Sequence, residues 1–227
     1  MLEPPHPAIA ILQEIFDGQA NPADAEIMQG YMKDVAPFYG IKAGPRRALQ
    51  KEVWREHAIP ATGAEMHAFA RRLFSLPQRE LHYAALETLQ ASKKFWTGGE
   101  ISLFDTQLRT TPWWDTVDVI STKLVAPFFQ SFPAQMQAIA RRWNSDESFW
   151  LRRASIIFQI PYKKKTDEAL LFENIRQCAH EKEFFIRKGI GWALREYAKS
   201  APETVQVFVE TTPLSALSKR EATRRME

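Results

Sequence analysis

Proline punctuates this chain at the starts of apolar-periodic segments, and that arrangement constrains the fold more than any other feature. Proline suits the first turn of a helix, where its missing N–H has no intrahelical partner and its fixed φ is already helical. Pro22 opens a run to about Lys33, and Gly44-Pro45 precedes Arg46 to Glu56. Pro77 precedes Gln78 to Ala91, Pro133 opens Ala134 to Trp143, and Pro202 opens a run to Glu210. Residues 8–17 are apolar with a period near 3.6, and further helices read across Glu147–Ile160, Asp167–His180, Lys182–Lys199 and Ser218–Arg225. In the Gln78–Ala91 helix the expected buried stripe is Leu81, Ala84, Ala85, Leu86 and Leu89. β-Branched alternation is absent, so the sequence predicts no strands and an all-α fold. Lys93-Lys94 through Gly98-Gly99 reads as the longest loop.

The helices are short and joined by short turns, and pairs recur at a spacing typical of helical-repeat solenoids. A compact orthogonal bundle is the alternative arrangement. No Gly/Ser-rich hinge divides the 227 residues, so one domain over 1–227 is expected. The single cysteine, Cys178, rules out an internal disulfide and a cysteine zinc cluster. It falls in an apolar helix and reads as core rather than nucleophile. No apolar run has the length of a membrane span. Residues 1–7 lack the charged start and apolar block of a signal peptide, so a cytoplasmic protein is expected.

Charge is informative in its distribution. Lys and Arg number 30 against 27 Asp and Glu, a net of +3. Residues 141–165 alone carry Arg141, Arg142, Arg152, Arg153, Lys163, Lys164 and Lys165 against Asp146 and Glu147, a local +5. Such a patch suits a polyanion, although a solvated basic face has the same composition. Of Arg152 and Arg153, one is expected to point outward to the patch while the other neutralises an acid such as Asp146. Lys163 to Lys165 read as solvated charges that also favour a helix C-terminus.

Two constellations suggest chemistry. In Thr111-Pro112-Trp113-Trp114-Asp115-Thr116-Val117-Asp118, Thr111 is placed to cap a helix that starts at Pro112. Trp114 and Asp118, four residues apart, then share a face. An aromatic plane beside a carboxylate suits a cationic ligand; the plainer reading is a core tryptophan next to a surface charge. In the second, Lys188, Trp192, Arg195 and Lys199 follow at spacings of four, three and four, one stripe on a helix. A tryptophan among three cations suits a phosphate backbone, or else a half-buried ring with snorkelling bases. The five histidines show no metal-ligand spacing, and no P-loop, dinucleotide fingerprint or Gly-x-Ser-x-Gly elbow occurs. No metal and no cofactor is therefore expected.

From about Pro7 to Arg225 the chain resembles the AlkD-type DNA alkylation-repair glycosylases, a family built from HEAT-like helical repeats. The resemblance is carried by Tyr31-Met32-Lys33 with Pro37-Phe38-Tyr39-Gly40-Ile41-Lys42, by Trp113-Trp114-Asp115-Thr116-Val117-Asp118, and by Trp150-Leu151-Arg152-Arg153-Ala154 with Phe158-Gln159. It continues through Lys182 to Lys188, Ile190 to Lys199 and Leu217 to Ala222. It implies a right-handed superhelical solenoid of antiparallel HEAT-like helix pairs with a concave basic DNA-binding face. It implies metal-free excision of cationic N3- and N7-alkylated purines from duplex DNA by a monomeric, monofunctional enzyme that acts at the nucleoid and does not flip the base into a pocket. By position, Asp118 corresponds to the catalytic carboxylate, and Trp114 and Trp192 to the tryptophans beside the lesion. Arg153, Tyr31 and Arg195 match DNA-contacting positions, and Lys188 extends that set along its stripe. Where the family often has a lysine, this chain has Pro161, which removes one phosphate contact. Two other classes stay open on the residues alone: a non-catalytic helical-repeat binder of distorted or branched DNA, and a protein-interaction scaffold.

Overall fold

The computed structural model describes residues 6–57, 59, 62–110 and 112–224. Among them are fourteen α-helices and no strand, as the proline and apolar periodicities predict. None of these helices is long and apolar enough to cross a membrane. The chain divides into two compact units, residues 1–103 and 104–227.

The first unit holds α1 (Pro7–Gly18), α2 (Pro22–Tyr31), α3 (Ala43–Glu56), α4 (Gly63–Phe74) and α5 (Arg79–Ala91). Within it α4 packs along α5, and α1 packs on α3. Leu81, Ala84, Ala85, Leu86 and Leu89 are each at most 1% exposed, the expected stripe. The segment after α2 is fixed by a buried acid. The Glu80 carboxylate accepts the backbone N–H groups of Tyr39 (3.1 Å), Gly40 (2.9 Å) and Ile41 (3.1 Å). Gly40 sits at φ +84°, and a Cβ there would lie 2.2 Å from the Asn21 carbonyl oxygen, so only glycine fits.

Helix α6 (Glu100–Thr110) runs across the boundary. The expected loop before it is shorter than read: Lys93–Phe95 forms a 3₁₀ turn. The Glu100 carboxylate then accepts the N–H groups of Thr97 and Gly98 at 2.8–3.0 Å, closing the helix start with a side chain.

The second unit continues with α7 (Trp114–Val119), α8 (Ala126–Ser131), α9 (Met136–Asn144), α10 (Phe149–Ile157), α11 (Glu168–Cys178), α12 (Phe184–Ala198), α13 (Pro202–Thr211) and α14 (Ala216–Thr223). Its core joins Ile156 and Ile157 of α10, Leu171 and Ile175 of α11, and Ile186, Ile190 and Leu194 of α12. Val205 and Phe208 of α13 complete it. Helix α12 lies at the centre, packed on α10, α13 and α14. Helix α10 ends at Ile157, before the expected Ile160, because Pro161 has no N–H to donate to the Ile157 carbonyl four residues earlier and its ring crowds that carbonyl. A 3₁₀ turn over Ile160–Lys165 follows, with Lys163 at φ +55°. Cys178 is buried as expected, and burial pushes its thiol up to about 12.

Candidate active site

The site is built on one interrupted helix. Pro112 does not begin it: α7 starts at Trp114, with Trp113 as an extended cap residue at φ −152°. Thr111 lies outside the described residues. The Trp113 ring packs edge-on against Trp150 (5.6 Å) and Phe185 (5.3 Å), and this tertiary anchoring overrides the local preference for a proline start. Asp115 then falls in the first turn, where a carboxylate complements the helix dipole. Trp114 and Asp118 both lie in α7, four residues apart, and both are half-buried.

Directly after Asp118 the helix widens into π-helical turns over Ile120–Val125 before resuming as α8. Pro127 stands at the second position of α8 and can neither donate a backbone bond nor tolerate a close preceding turn, which the wider coil relieves. Two hydroxyls satisfy carbonyls along this stretch. Ser121 donates to the Val117 carbonyl and Thr122 to the Asp118 carbonyl, each at 2.7 Å.

The Asp118 side chain meets Arg153 of α10. Nε donates to one carboxylate oxygen and Nη2 to the other, both at 2.9 Å. The third arm, Nη1, donates to the Phe185 carbonyl at the start of α12. The Arg153 side chain is 5% exposed and that of Asp118 is 21%. Arg153 crosses α12 at Gly189, where a Cβ would lie 2.9 Å from Nη1. The guanidinium thus joins the helices that carry Asp118 and Trp192. The pairing expected for Arg152 and Arg153 is corrected in two respects. Arg109, not either of them, holds the Asp146 carboxylate (2.7 Å), and neither arginine is exposed. Arg152 turns to Glu181 (2.8 Å) and to the carbonyls of Asp146 and Glu147, because these last carbonyls lie within its reach at the start of α10.

Burial raises the Asp118 carboxyl above the ordinary aspartate range, with the like charge of Asp115 adding to it; Arg153 opposes both through its charge and its hydrogen bonds. The result is a fixed carboxylate on a side chain that stays about a fifth exposed. Each of its oxygens keeps a second lone pair beyond the one Arg153 occupies.

Trp192, on α12, is half-buried against the core of the second unit. The cations on either side of it converge on Glu221 of α14: Lys188 Nζ and Arg195 Nη1 each lie 2.9 Å from its carboxylate. Arg195 also donates to the Glu221 backbone carbonyl at 3.0 Å. The two cations hold the Glu221 carboxyl below its usual range. The close approach of α14 depends on Gly191, where a Cβ would lie 2.4 Å from Glu221 Cβ and 3.0 Å from the Ser218 carbonyl oxygen. Lys199, last in the stripe, pairs with Glu196. Tyr31 stands in the first unit at the end of α2, 70% exposed.

Residue spacing does not reveal Glu221, Gly189, Gly191 or the π-helical turns. The glycines inside a strongly helical segment, and Ser121, Thr122 and Pro127 inside another, are the sequence signals that mark these places. A cavity of about 740 Å³ opens in the first unit, lined by Asp17, Glu26, Asp34, Phe38 and Tyr39 among others; Phe38 and Tyr39 belong to a segment that carries the resemblance, but none of the candidate site residues Tyr31, Trp114, Asp118, Arg153, Lys188, Trp192 and Arg195 lines it. Among the described residues no three His, Cys, Asp or Glu side chains are grouped to hold a metal ion.

Comparison with known proteins gives these observations a setting. A family model described as DNA alkylation repair enzyme matches residues 12–226. The solved structure of a predicted DNA alkylation repair enzyme from Enterococcus faecalis superposes with a TM-score of 0.85 at 29% identity, covering 91% of this chain and 96% of that one. A second solved structure, smu.31 from Streptococcus mutans UA159, shares the fold, with a TM-score of 0.60 at 15% identity over 80% of this chain and 98% of that one. No curated protein sequence matches significantly.

Proposed function

Because the chain belongs to the DNA alkylation repair enzyme family, we propose that it is a monofunctional DNA glycosylase for cationic N3- and N7-alkylated purines in duplex DNA. The observation that carries this reading is the Asp118 carboxylate, clamped by a buried arginine on a side chain that keeps about a fifth of its surface exposed.

An alkylated purine carries positive charge and departs as a neutral base, so no acid is needed to protonate it. Breaking the N-glycosidic bond leaves positive charge on the deoxyribose. Asp118, ionised and held in place, stabilises that charge and orients the water that adds to C1′; the water's second proton passes to solvent. A fixed charge facing developing charge contributes several kcal/mol without reorganisation. Trp114 and Trp192 present ring faces to the same cation. Lys188, Arg195 and Tyr31 are assigned to contacts with DNA, and Arg153, whose guanidinium is taken up by Asp118 and the Phe185 carbonyl, acts through Asp118 rather than on the phosphates. The family match runs unbroken from residue 12 to residue 226, which supports reading the chain as one functional domain.

The products test this reading. Incubation in EDTA with duplex DNA carrying N7-methylguanine is expected to give free base and an intact strand that breaks only on alkali treatment. Borohydride is expected to trap no protein–DNA adduct. Strand cleavage without alkali, or a trapped adduct, would replace hydrolysis with a lyase mechanism. Binding to distorted DNA with no base released would leave the non-catalytic binder.

A further inference from the structure

The ion pairs change what the basic stretch of residues 141–165 can do. Arg141 is held by Glu173 (2.9 Å), Arg142 by Asp105 (3.2 Å), Arg152 by Glu181 (2.8 Å) and Arg153 by Asp118 (2.9 Å). Every arginine of the patch is therefore matched to a carboxylate. Lys163, Lys164 and Lys165 are exposed, and no carboxylate among the described residues lies within ion-pair distance of them. The nearest acids in sequence are engaged elsewhere. Asp167 caps α11 at Leu170 N and accepts from Gln137, and Glu168 accepts the Tyr197 hydroxyl.

The backbone beneath these lysines is fixed. Gln159 and Asp167 close the turn from both sides: the Gln159 amide donates to the Asp167 carbonyl (3.1 Å), and the Asp167 N–H donates to Gln159 Oε1 (2.7 Å). The Thr166 hydroxyl donates to the Lys163 carbonyl at 2.8 Å. The buried Tyr162 hydroxyl donates to the Ala126 carbonyl at 2.7 Å, tying the turn to the interrupted helix that carries Asp118. Ala126 follows Asp118 by eight residues on that interrupted helix, so the lysine turn and the Asp118 carboxylate share one support.

We propose that the Lys163–Lys165 turn is a preorganised contact for the sugar-phosphate backbone of duplex DNA. It is the uncompensated charge of the 141–165 patch, and its rigid mount sets its distance from Asp118. This inference rests on the reading of the protein as a DNA enzyme.

The test is undamaged-duplex binding as a function of NaCl concentration, for wild type, the triple variant K163Q/K164Q/K165Q and the charge-retaining K163R/K164R/K165R. Each phosphate contact contributes about 0.9 to the slope of log K against log salt. The triple glutamine variant is expected to lose about 2 to 3 of that slope and at least about tenfold in affinity at low salt, while the arginine variant keeps both. Single glutamine variants should each lose about one contact. Steep wild-type binding that persists in the glutamine variant overturns the lysine turn and leaves the DNA reading standing. A wild type with no salt-dependent duplex binding overturns the DNA reading and this inference with it.

Discussion

At Asp118, burial and ion pairing pull the carboxyl in opposite directions. Burial raises it, Arg153 lowers it, and the balance lies above the ordinary value of about 3.9. The chemistry needs the ionised form, so base release is expected to fall as pH drops through a point above the usual aspartate range. Removing the Arg153 charge takes away the lowering influence. In Arg153→Gln the acid limb should therefore move to higher pH, and release at neutral pH should drop at least about tenfold, with duplex binding much less affected. An unmoved limb in the pH profile would show that Arg153 does not tune Asp118. Cys178 gives a simpler case. Burial keeps its thiol protonated at pH 8, so iodoacetamide should label it only in denatured protein, read by mass spectrometry. The apolar stripe around Cys178 was enough to indicate this. The partner of Arg153 was not, because no spacing rule links residues 118 and 153.

Among the elements, helices that announce themselves by proline or by a clean apolar stripe were readable, and α5 is the clearest case. Residues 100–110 contain no proline and Pro60 stands three residues ahead of α4, so no proline marks the first turn of α4 or α6. They open on side-chain oxygens instead: Thr62 accepts from Glu65 N, and Glu100 holds the loop before α6. The π-helical turns after Asp118 also lay beyond a periodicity of 3.6. Their cause, Pro127 inside a continuing helix, is local in sequence but takes effect only when both flanking segments are packed. Gly191 makes a sharper test at this scale. Alanine in place of a helix-interior glycine ordinarily stabilises by about 1 kcal/mol. Here its methyl group would strike Glu221 and the Ser218 carbonyl. Gly191→Ala should lower the Tm, at a cost of about 1–3 kcal/mol, and weaken duplex binding as Lys188 and Arg195 lose their common anchor. A raised Tm would mean that α14 does not approach α12 as closely as described.

For the whole molecule, the all-α class and most helix positions followed from periodicity and proline placement. The resemblance added which of many tryptophans and acids to examine. What charge counting missed is compensation: a local +5 in residues 141–165 reduces, once folded, to three lysines on a clamped turn. Ion pairs between residues some thirty positions apart, such as Arg141–Glu173, are invisible until the helices are packed. The net charge of +3 thus understates how concentrated the available positive charge is.

The most direct measurement is single-turnover release of free base from duplex DNA carrying N7-methylguanine, in EDTA, for wild type and Asp118→Asn. Release by wild type, with a loss of at least about a hundredfold in the variant and duplex affinity kept, is the predicted result. Equal release by both proteins would contradict the role assigned to Asp118.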